Sequence, residues 1–151
     1  MTTREVEVRQ AALADLDQLV PLFDRYRQFY RLASEPERER NFLRERMEQN
    51  QSVIFMAFEG GAAIGFTQLY PSFSSGAMAR IFILNDLFVT AEARRRGAGS
   101  GLLRAAAEYA RRAAAVRLVL STEIANTTAQ AVYERLGWKR DTVFCVYQLA
   151  L

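Results

Sequence analysis

The chain is expected to fold as a single mixed-sheet α/β domain spanning residues 1–151. Three observations predict this. Strand-like and helix-like segments follow one another in the order β-α-α-β-β-β-α-β-α-β, with no internal repeat, low-complexity stretch or linker. The stretch Leu84–Leu103, LNDLFVTAEARRRGAGSGLL, starts as an apolar run rich in β-formers, turns polar at Thr90, and passes through arginines and glycines into a helical pattern. Finally, 151 residues, 50% hydrophobic and 25% charged, suit one domain with a sizeable core.

Each element follows from its pattern. REVEVR (4–9) alternates apolar and charged residues, as an edge or half-buried strand does. Leu13, Leu16, Leu19, Val20, Phe23, Tyr26 and Tyr30 then fall at helical spacing, with Asp15 placed for the first turn and Pro21 a candidate kink or division point. Ser34-Glu35-Pro36-Glu37 reads as a helix start with Ser34 as N-cap, opening a charged, solvated, lid-like helix over about 35–49. SVIFMAF (52–58), the turn Glu59-Gly60-Gly61 and AAIGFTQLY (62–70) make a β-hairpin. Residues 71–76 read as a loop, and MARIFILNDLFV (78–89) as a third long strand. A helix over about 98–114 carries Leu102, Leu103, Ala106, Tyr109 and Ala110 on one face. VRLVLST (116–122) is a short buried strand, and 127–136 a helix with Asn126 as N-cap and Gly137 just past its end. TVFCVYQLA (142–150) closes the chain as a terminal strand in which Cys145 is a buried small hydrophobe, and a short strand is also weighed at 138–140.

Composition excludes several chemistries. With no histidine, Ser-His-Asp and Cys-His catalysis are ruled out. One cysteine and no histidine leave no basis for a zinc site, and no metal is expected. A single cysteine also forbids an internal disulfide, which, with no signal peptide in view, points to the cytoplasm. No apolar run approaches a membrane span. A net charge of +3, from 20 basic and 17 acidic residues, is too balanced to argue for nucleic acid.

The glycines and arginines after Val89 point to a phosphate-bearing ligand. Gly97, Gly99 and Gly101 permit close backbone approach and positive φ. The N–H groups of the following helical turn lack intrahelical partners and, with the helix dipole, form an anion site. Arg94, Arg95 and Arg96 add charge and bidentate geometry. No lysine follows the glycines as a P-loop requires, and their spacing fails the dinucleotide fingerprint. The pattern [R/Q]xxGx[G/A] does fit, as Arg94-Arg95-Arg96-Gly97-Ala98-Gly99. Here the sequence resembles the GNAT superfamily of acetyl-CoA-dependent N-acetyltransferases, in which this loop holds the pyrophosphate of coenzyme A.

A second motif strengthens the resemblance. Residues 126–138, NTTAQAVYERLGW, are similar to the GNAT pattern NxxAxxxYexxGF, with Trp138 in place of Phe. The element order, with two helices after the first strand, matches as well, so the likeness covers essentially the whole chain. It implies a mixed central sheet with splayed middle strands flanked by helices, and acetyl-CoA as cosubstrate. The backbone of Leu87-Phe88-Val89 is implied to pair with the pantetheine arm. A β-bulge is implied to splay that strand from Leu118-Val119-Leu120, and a backbone N–H nearby to polarise the thioester carbonyl. The Arg94–Ser100 loop, including Ala98 and Ser100, is implied to bind pyrophosphate, Asn126 to bind pantetheine, and Tyr133 to protonate the leaving thiolate.

The acceptor half rests on chemistry. An alkylammonium is charged at neutral pH, and freeing its lone pair costs about 4 kcal/mol. Asp86 and Glu123 are the carboxylates flanking the splayed strands and are the candidate bases. LNDLFV further resembles the LEDFFV-type strand of polyamine N-acetyltransferases and Hpa-type relatives, whose first acid acts as a base through water; that position is Asn85 here, which cannot, while Asp86 keeps the second acid. Tyr26, Phe29, Tyr30, Glu35, Tyr70, Phe73 and Ser74 fall where this fold builds its acceptor pocket. Aromatic rings near carboxylates suit a cationic amine, with Tyr30 and Phe73 chosen as contacts. Direct transfer to a small primary amine is the expected activity. A protein lysine or N-terminal acetyltransferase, and a CoA-binding module with little catalysis, are the alternatives. The resemblance also implies a homodimer or higher oligomer, consistent with the apolar ending Val143–Leu151 as a shared edge.

Overall fold

A computed structural model describes residues 4–151. The order is β1 (Val6–Gln10), α1 (Leu16–Phe29), α2 (Pro36–Glu48), β2 (Val53–Glu59), β3 (Ala62–Ser74), β4 (Ala79–Val89), α3 (Ala98–Arg112), β5 (Leu118–Leu120) and α4 (Thr127–Arg135). The strands form one mixed sheet in the order β1-β2-β3-β4-β5, antiparallel up to β4 and parallel between β4 and β5. The chain divides at Ser121/Thr122 into two compact units.

The first unit holds the sheet and α1–α3. One core gathers Leu16, Leu19, Val20 and Phe23 of α1, Leu43 of α2, and Ile54, Met56, Phe66 and Phe88 of the sheet. Burial of each such side chain contributes roughly 1.5–3 kcal/mol. A second cluster sets Ala98 and Leu102 of α3 against Ala57. Gly65 allows this approach: a Cβ there would lie 2.7 Å from the Phe88 carbonyl oxygen and 3.4 Å from Leu102.

Local details agree with the expected elements and refine them. Gly60 and Gly61 both take positive φ, +58° and +80°, as a two-residue hairpin between Glu59 and Ala62 requires. Pro21 neither breaks nor divides α1, which is continuous from Leu16 to Phe29 after a short 3-10 turn. The N-cap position of α2 falls on Glu35 rather than Ser34, because Pro36 occupies the first helical turn, where its missing N–H costs nothing, and the Ser34 hydroxyl donates to Asp24. Nor is α2 wholly solvated. Leu43 is buried, and Glu39 is buried in an ion pair with Arg27 at 2.7 Å.

The segment expected as a loop at 71–76 continues β3 through Ser74, with Pro71 opposite Phe82. Pairing of β3 with β2 ends at Leu69, so Pro71 sits where β3 has become an edge strand and a missing donor is tolerated.

Asp15 closes the start of α1. Its carboxylate accepts from the Ala12 backbone N–H at 2.7 Å and from both Arg9 guanidinium nitrogens at 2.8 and 2.9 Å. These bonds, the Arg9 contact foremost, hold its pKa down to about 2. A depressed carboxylate stabilises above its unfolded value, near 4, and loses that contribution as pH falls toward the folded one. With Arg9 about half exposed, Asp15→Asn is expected to cost about 1–2 kcal/mol at pH 7. Urea denaturation at pH 7 and at low pH should show the gap to wild type closing in acid.

The second unit contains α4. Asn126 caps it, its side-chain oxygen accepting from Ala129 N–H at 3.1 Å. Gly137 ends it at φ +93°, with Gly137 N–H on the Glu134 carbonyl and Trp138 N–H on the Tyr133 carbonyl, both 3.0 Å. This is a Schellman stop, completed by the Tyr133–Trp138 ring contact at 6.1 Å.

The expected terminal strand at 142–150 and the short strand at 138–140 are not formed. A strand requires a neighbour for its backbone groups, and among the described residues none pairs with this segment. An Asp141 turn accepts from Val143 and Phe144 N–H at 2.8 and 3.1 Å. Phe144, Val146, Tyr147 and Leu149 are therefore exposed, and Cys145 is exposed rather than buried.

Candidate active site

The site in the first unit is organised by one irregularity. Gln68 pairs with Asp86, but Leu69 pairs with Leu84, so Asn85 is an extra residue bulging from β4. On the other side, β4 pairs with β5 only over Phe82–Leu84 and Leu118–Leu120. From Asn85 to Val89, β4 has no neighbouring strand on that flank among the described residues. The implied bulge and splay are thus present, and Leu87, Phe88 and Val89 lie on the open stretch.

Asp86 sits at the bulge with its side chain buried, 3% exposed. Its Oδ2 accepts from Gln68 Nε2 at 2.6 Å and its Oδ1 from Asn85 Nδ2 at 3.0 Å. The Tyr26 hydroxyl donates to the Asn85 carbonyl oxygen at 3.4 Å and lies close enough to the same carboxylate to favour its ionised form. Desolvation outweighs the lowering effect of Gln68, Tyr26 and Asn85 and raises the Asp86 pKa above the ordinary carboxylate range. Burial and the Asp86 charge push the Tyr26 and Tyr70 hydroxyls well above the usual tyrosine value, so both stay protonated.

Aromatic rings surround this group. Tyr26 meets Phe66, Phe88 and Tyr30 edge-on at 5.7, 6.3 and 5.2 Å. Tyr30, half-buried, also meets Phe29. Phe73 is placed differently. It lies 69% exposed, far along β3, with the Arg80 guanidinium 4.7 Å from its ring. Glu35 is paired with Arg27 and Arg38, and Ser74 accepts from Ala77 N–H.

The arginine- and glycine-bearing loop follows β4. Gly97 takes φ +83° at the N-cap of α3, a 15-residue helix. Gly99 and Gly101 lie inside α3 instead. Gly101 serves packing, since a Cβ there would meet Val8 at 3.2 Å. Arg95 takes φ +67°, a strained value for a side-chain-bearing residue. Arg96 pairs with Glu59 at 2.7 Å, while Arg94 reaches the Val89 carbonyl at 3.4 Å and lies over Phe29. Gly97, Ala98, Gly99 and Ser100 thus present the start of a long helix directly after Arg94, Arg95 and Arg96. This donor set fits a pyrophosphate.

In the second unit, Glu123 is exposed, and its carbonyl accepts from Asn126 N–H and Gln130 Nε2. It lies beyond β5, which ends at Leu120, rather than at the strand's tip. The Asn126 side-chain oxygen is spent on the helix cap, and Tyr133 is half-buried. Among the described residues no group of three or more His, Cys, Asp or Glu side chains could hold a metal ion, and no helix is long and apolar enough to cross a membrane.

Gln68 is the site residue that sequence patterning misses. Residues 65–69 are buried without alternation, so no period marks it. The available signal is a Thr-Gln pair inside an otherwise apolar strand.

A splayed mixed sheet, a buried carboxylate at the splay and an Arg- and Gly-bearing loop leading into a long helix define the class of α/β fold to which the chain belongs. The family model described as the Acetyltransferase (GNAT) family matches residues 16–138. An uncharacterized N-acetyltransferase of Bacillus subtilis, YhfO, is 49% identical over 95% of this chain and 97% of its own. The crystal structure of a probable acetyltransferase, 44% identical, superposes with a TM-score of 0.91 over 96% of this chain and 97% of that one. An aminoglycoside N-acetyltransferase, AAC(6')-Iy, solved in complex with CoA, shares the fold at 19% identity and a TM-score of 0.84, over 99% and 98% of the two chains. The chain belongs to the GNAT family and is an acetyltransferase.

Proposed function

We propose that this protein transfers an acetyl group from acetyl-CoA directly to the primary amine of a small molecule, with Asp86 as the base. The observation that carries this is the buried Asp86 carboxylate, its pKa raised, at the bulge where β5 leaves β4 and half-buried tyrosines gather. Acetyl-CoA supplies the activated thioester. Arg94, Arg95 and Arg96 and the backbone from Gly97 to Ser100 hold its pyrophosphate. Backbone groups of Leu87, Phe88 and Val89, with Asn126, hold its pantetheine arm.

Asp86 accepts the ammonium proton, through water or the Tyr26 hydroxyl, since its own oxygens are buried. The freed nitrogen attacks the thioester carbonyl; the C–N bond forms, the C–S bond breaks, Tyr133 gives its proton to the departing sulfur, and the second proton, shed by the newly bonded nitrogen, passes through water to restore Tyr133. Tyr30 and Phe73 are proposed acceptor contacts. Tyr30 is the better supported, because the Phe73 ring already faces Arg80. Glu123 is the alternative base. It is exposed, whereas Asp86 is buried at the bulge beside Tyr26, which favours Asp86. The aminoglycoside acetyltransferase fold-relative is compatible with a small-amine acceptor.

The two units are proposed to act as one acetyltransferase domain, as a family match crossing their boundary suggests. Exposed apolar side chains over 143–151 support a homodimer or larger assembly, testable by light scattering against a chain cut after Asp141. The cytoplasm is the proposed compartment, from the lone thiol.

Thiol release from acetyl-CoA with polyamines, aminoglycosides, amino acids and a lysine peptide tests the activity. A small amine that supports turnover carries the proposal; a preference for the peptide would replace it, and acetyl-CoA binding without any turnover would leave a binding module. Tyr133→Phe is expected to lower kcat about 10²-fold while retaining acetyl-CoA affinity. It keeps the ring that closes α4, so unchanged circular dichroism separates chemistry from folding.

A further inference from the structure

We propose that Gln68 is a positioning residue for acetyl transfer: its side-chain amide holds the Asp86 carboxylate in one orientation and in its ionised form. This rests on Asp86 being the base.

The geometry is specific. Gln68 and Asp86 are register partners across β3 and β4, at the last pair before the Asn85 bulge. The 2.6 Å bond from Gln68 Nε2 to Asp86 Oδ2 is the shortest the carboxylate receives from the side chains of Gln68 and Asn85. Both residues are buried, Gln68 completely and Asp86 to 3% exposure. In low dielectric, a hydrogen bond to an ion is strongest and least replaceable by water.

The other end of the amide shows why the residue is not simply core. Gln68 Oε1 is buried without a partner. A carboxylate only accepts, so the amide nitrogen must face Asp86 and the carbonyl must turn away. An apolar side chain of similar volume would avoid that unsatisfied oxygen, and packing alone gives no reason for glutamine. Support for the ion does. Thr67, next in the strand, donates to the Asp86 backbone carbonyl at 2.8 Å and fixes the main chain at the same point.

The surrounding groups leave Asp86 the titrating one. Tyr26 on α1 and Tyr70 on β3 face it and remain protonated over the working range. Tyr30 adjoins Tyr26, and Arg46 on α2 acts on Tyr70. Asn85, on the same strand, does not titrate.

The test is carbon-detected NMR titration of the full-length protein, with the Asp86 side-chain carboxyl signal assigned by its loss in Asp86→Asn. In Gln68→Met, which keeps volume and removes the donor, the Asp86 midpoint is expected to rise by about one to two pH units, the size of a lost hydrogen bond to a charge. Gln68→Leu is the second variant should the first fold poorly. The acid limb of kcat/KM for thiol release should move by the same amount. A folded variant whose Asp86 midpoint stays in place overturns the assignment, because a merely structural glutamine would leave it there. The NMR midpoint needs no turnover. Full activity in Asp86→Asn would therefore sink the base assignment of the preceding subsection, and remains distinguishable from failure of the Gln68–Asp86 coupling.

Discussion

Asp86→Asn is expected to lower kcat/KM for amine acetylation by about 10²–10⁴-fold, the usual contribution of a positioned general base, with acetyl-CoA affinity unchanged. In the wild type, activity should fall as pH drops through the raised Asp86 pKa, since only the ionised carboxylate takes a proton. The variant should lose that limb and regain rate only at high pH, where free amine is already abundant. Stability moves the other way. A carboxyl whose folded pKa lies above its unfolded one is most stabilising when protonated, and that contribution disappears as pH rises through the folded value. Once ionised, Asp86 is thus a buried charge held at a cost, and the amide removes it. Gln68 can then turn its unpartnered carbonyl toward the new N–H donor. The variant should therefore denature at equal or higher urea than wild type. A variant that is both inactive and unfolded would point to a structural carboxylate instead; an active one would shift the base assignment to Glu123.

Phe66→Ala is expected to cost about 3–5 kcal/mol, the range for emptying a fully buried aromatic site. Phe66 meets Phe23 and Tyr26 edge-on at 6.1 and 5.7 Å, so its ring joins α1 to the sheet. It also backs the tyrosine whose hydroxyl reaches Asp86. Chemical denaturation should show the midpoint falling at nearly constant slope, with a loss of activity in the fraction that stays folded. A loss under about 1 kcal/mol would mean that neighbouring side chains collapse into the space, and that Tyr26 is placed by α1 alone.

The two predictions meet at the bulge, where the sequence is least explicit. Asn85 and Asp86 belong to a strand pattern that was legible, but which of them leaves the ladder depends on β3 and β4 aligning as Gln68↔Asp86 and Leu69↔Leu84. That register joins residues far apart in the chain. The raised pKa of Asp86 depends on it in turn, because burial, not the neighbouring residue types, is its largest cause.

Features determined by adjacent residues were readable without a structure. The hairpin at Gly60-Gly61, the start of α3 at Gly97, and the Asn126 cap and Gly137 stop of α4 are local, each satisfying backbone groups within a few residues. The second motif is in large part that helix's own start and stop signal. The mixed sheet followed from the order of periodic segments. What only tertiary structure decided was whatever needs a distant partner. Pro71 continues a strand because β2 has ended beside it. Residues 142–150 stay exposed and outside any strand because β-propensity supplies no neighbour to bond with. Gln68, an unmarked polar residue in an apolar strand, becomes part of the site only because folding sets its amide 2.6 Å from a buried carboxylate.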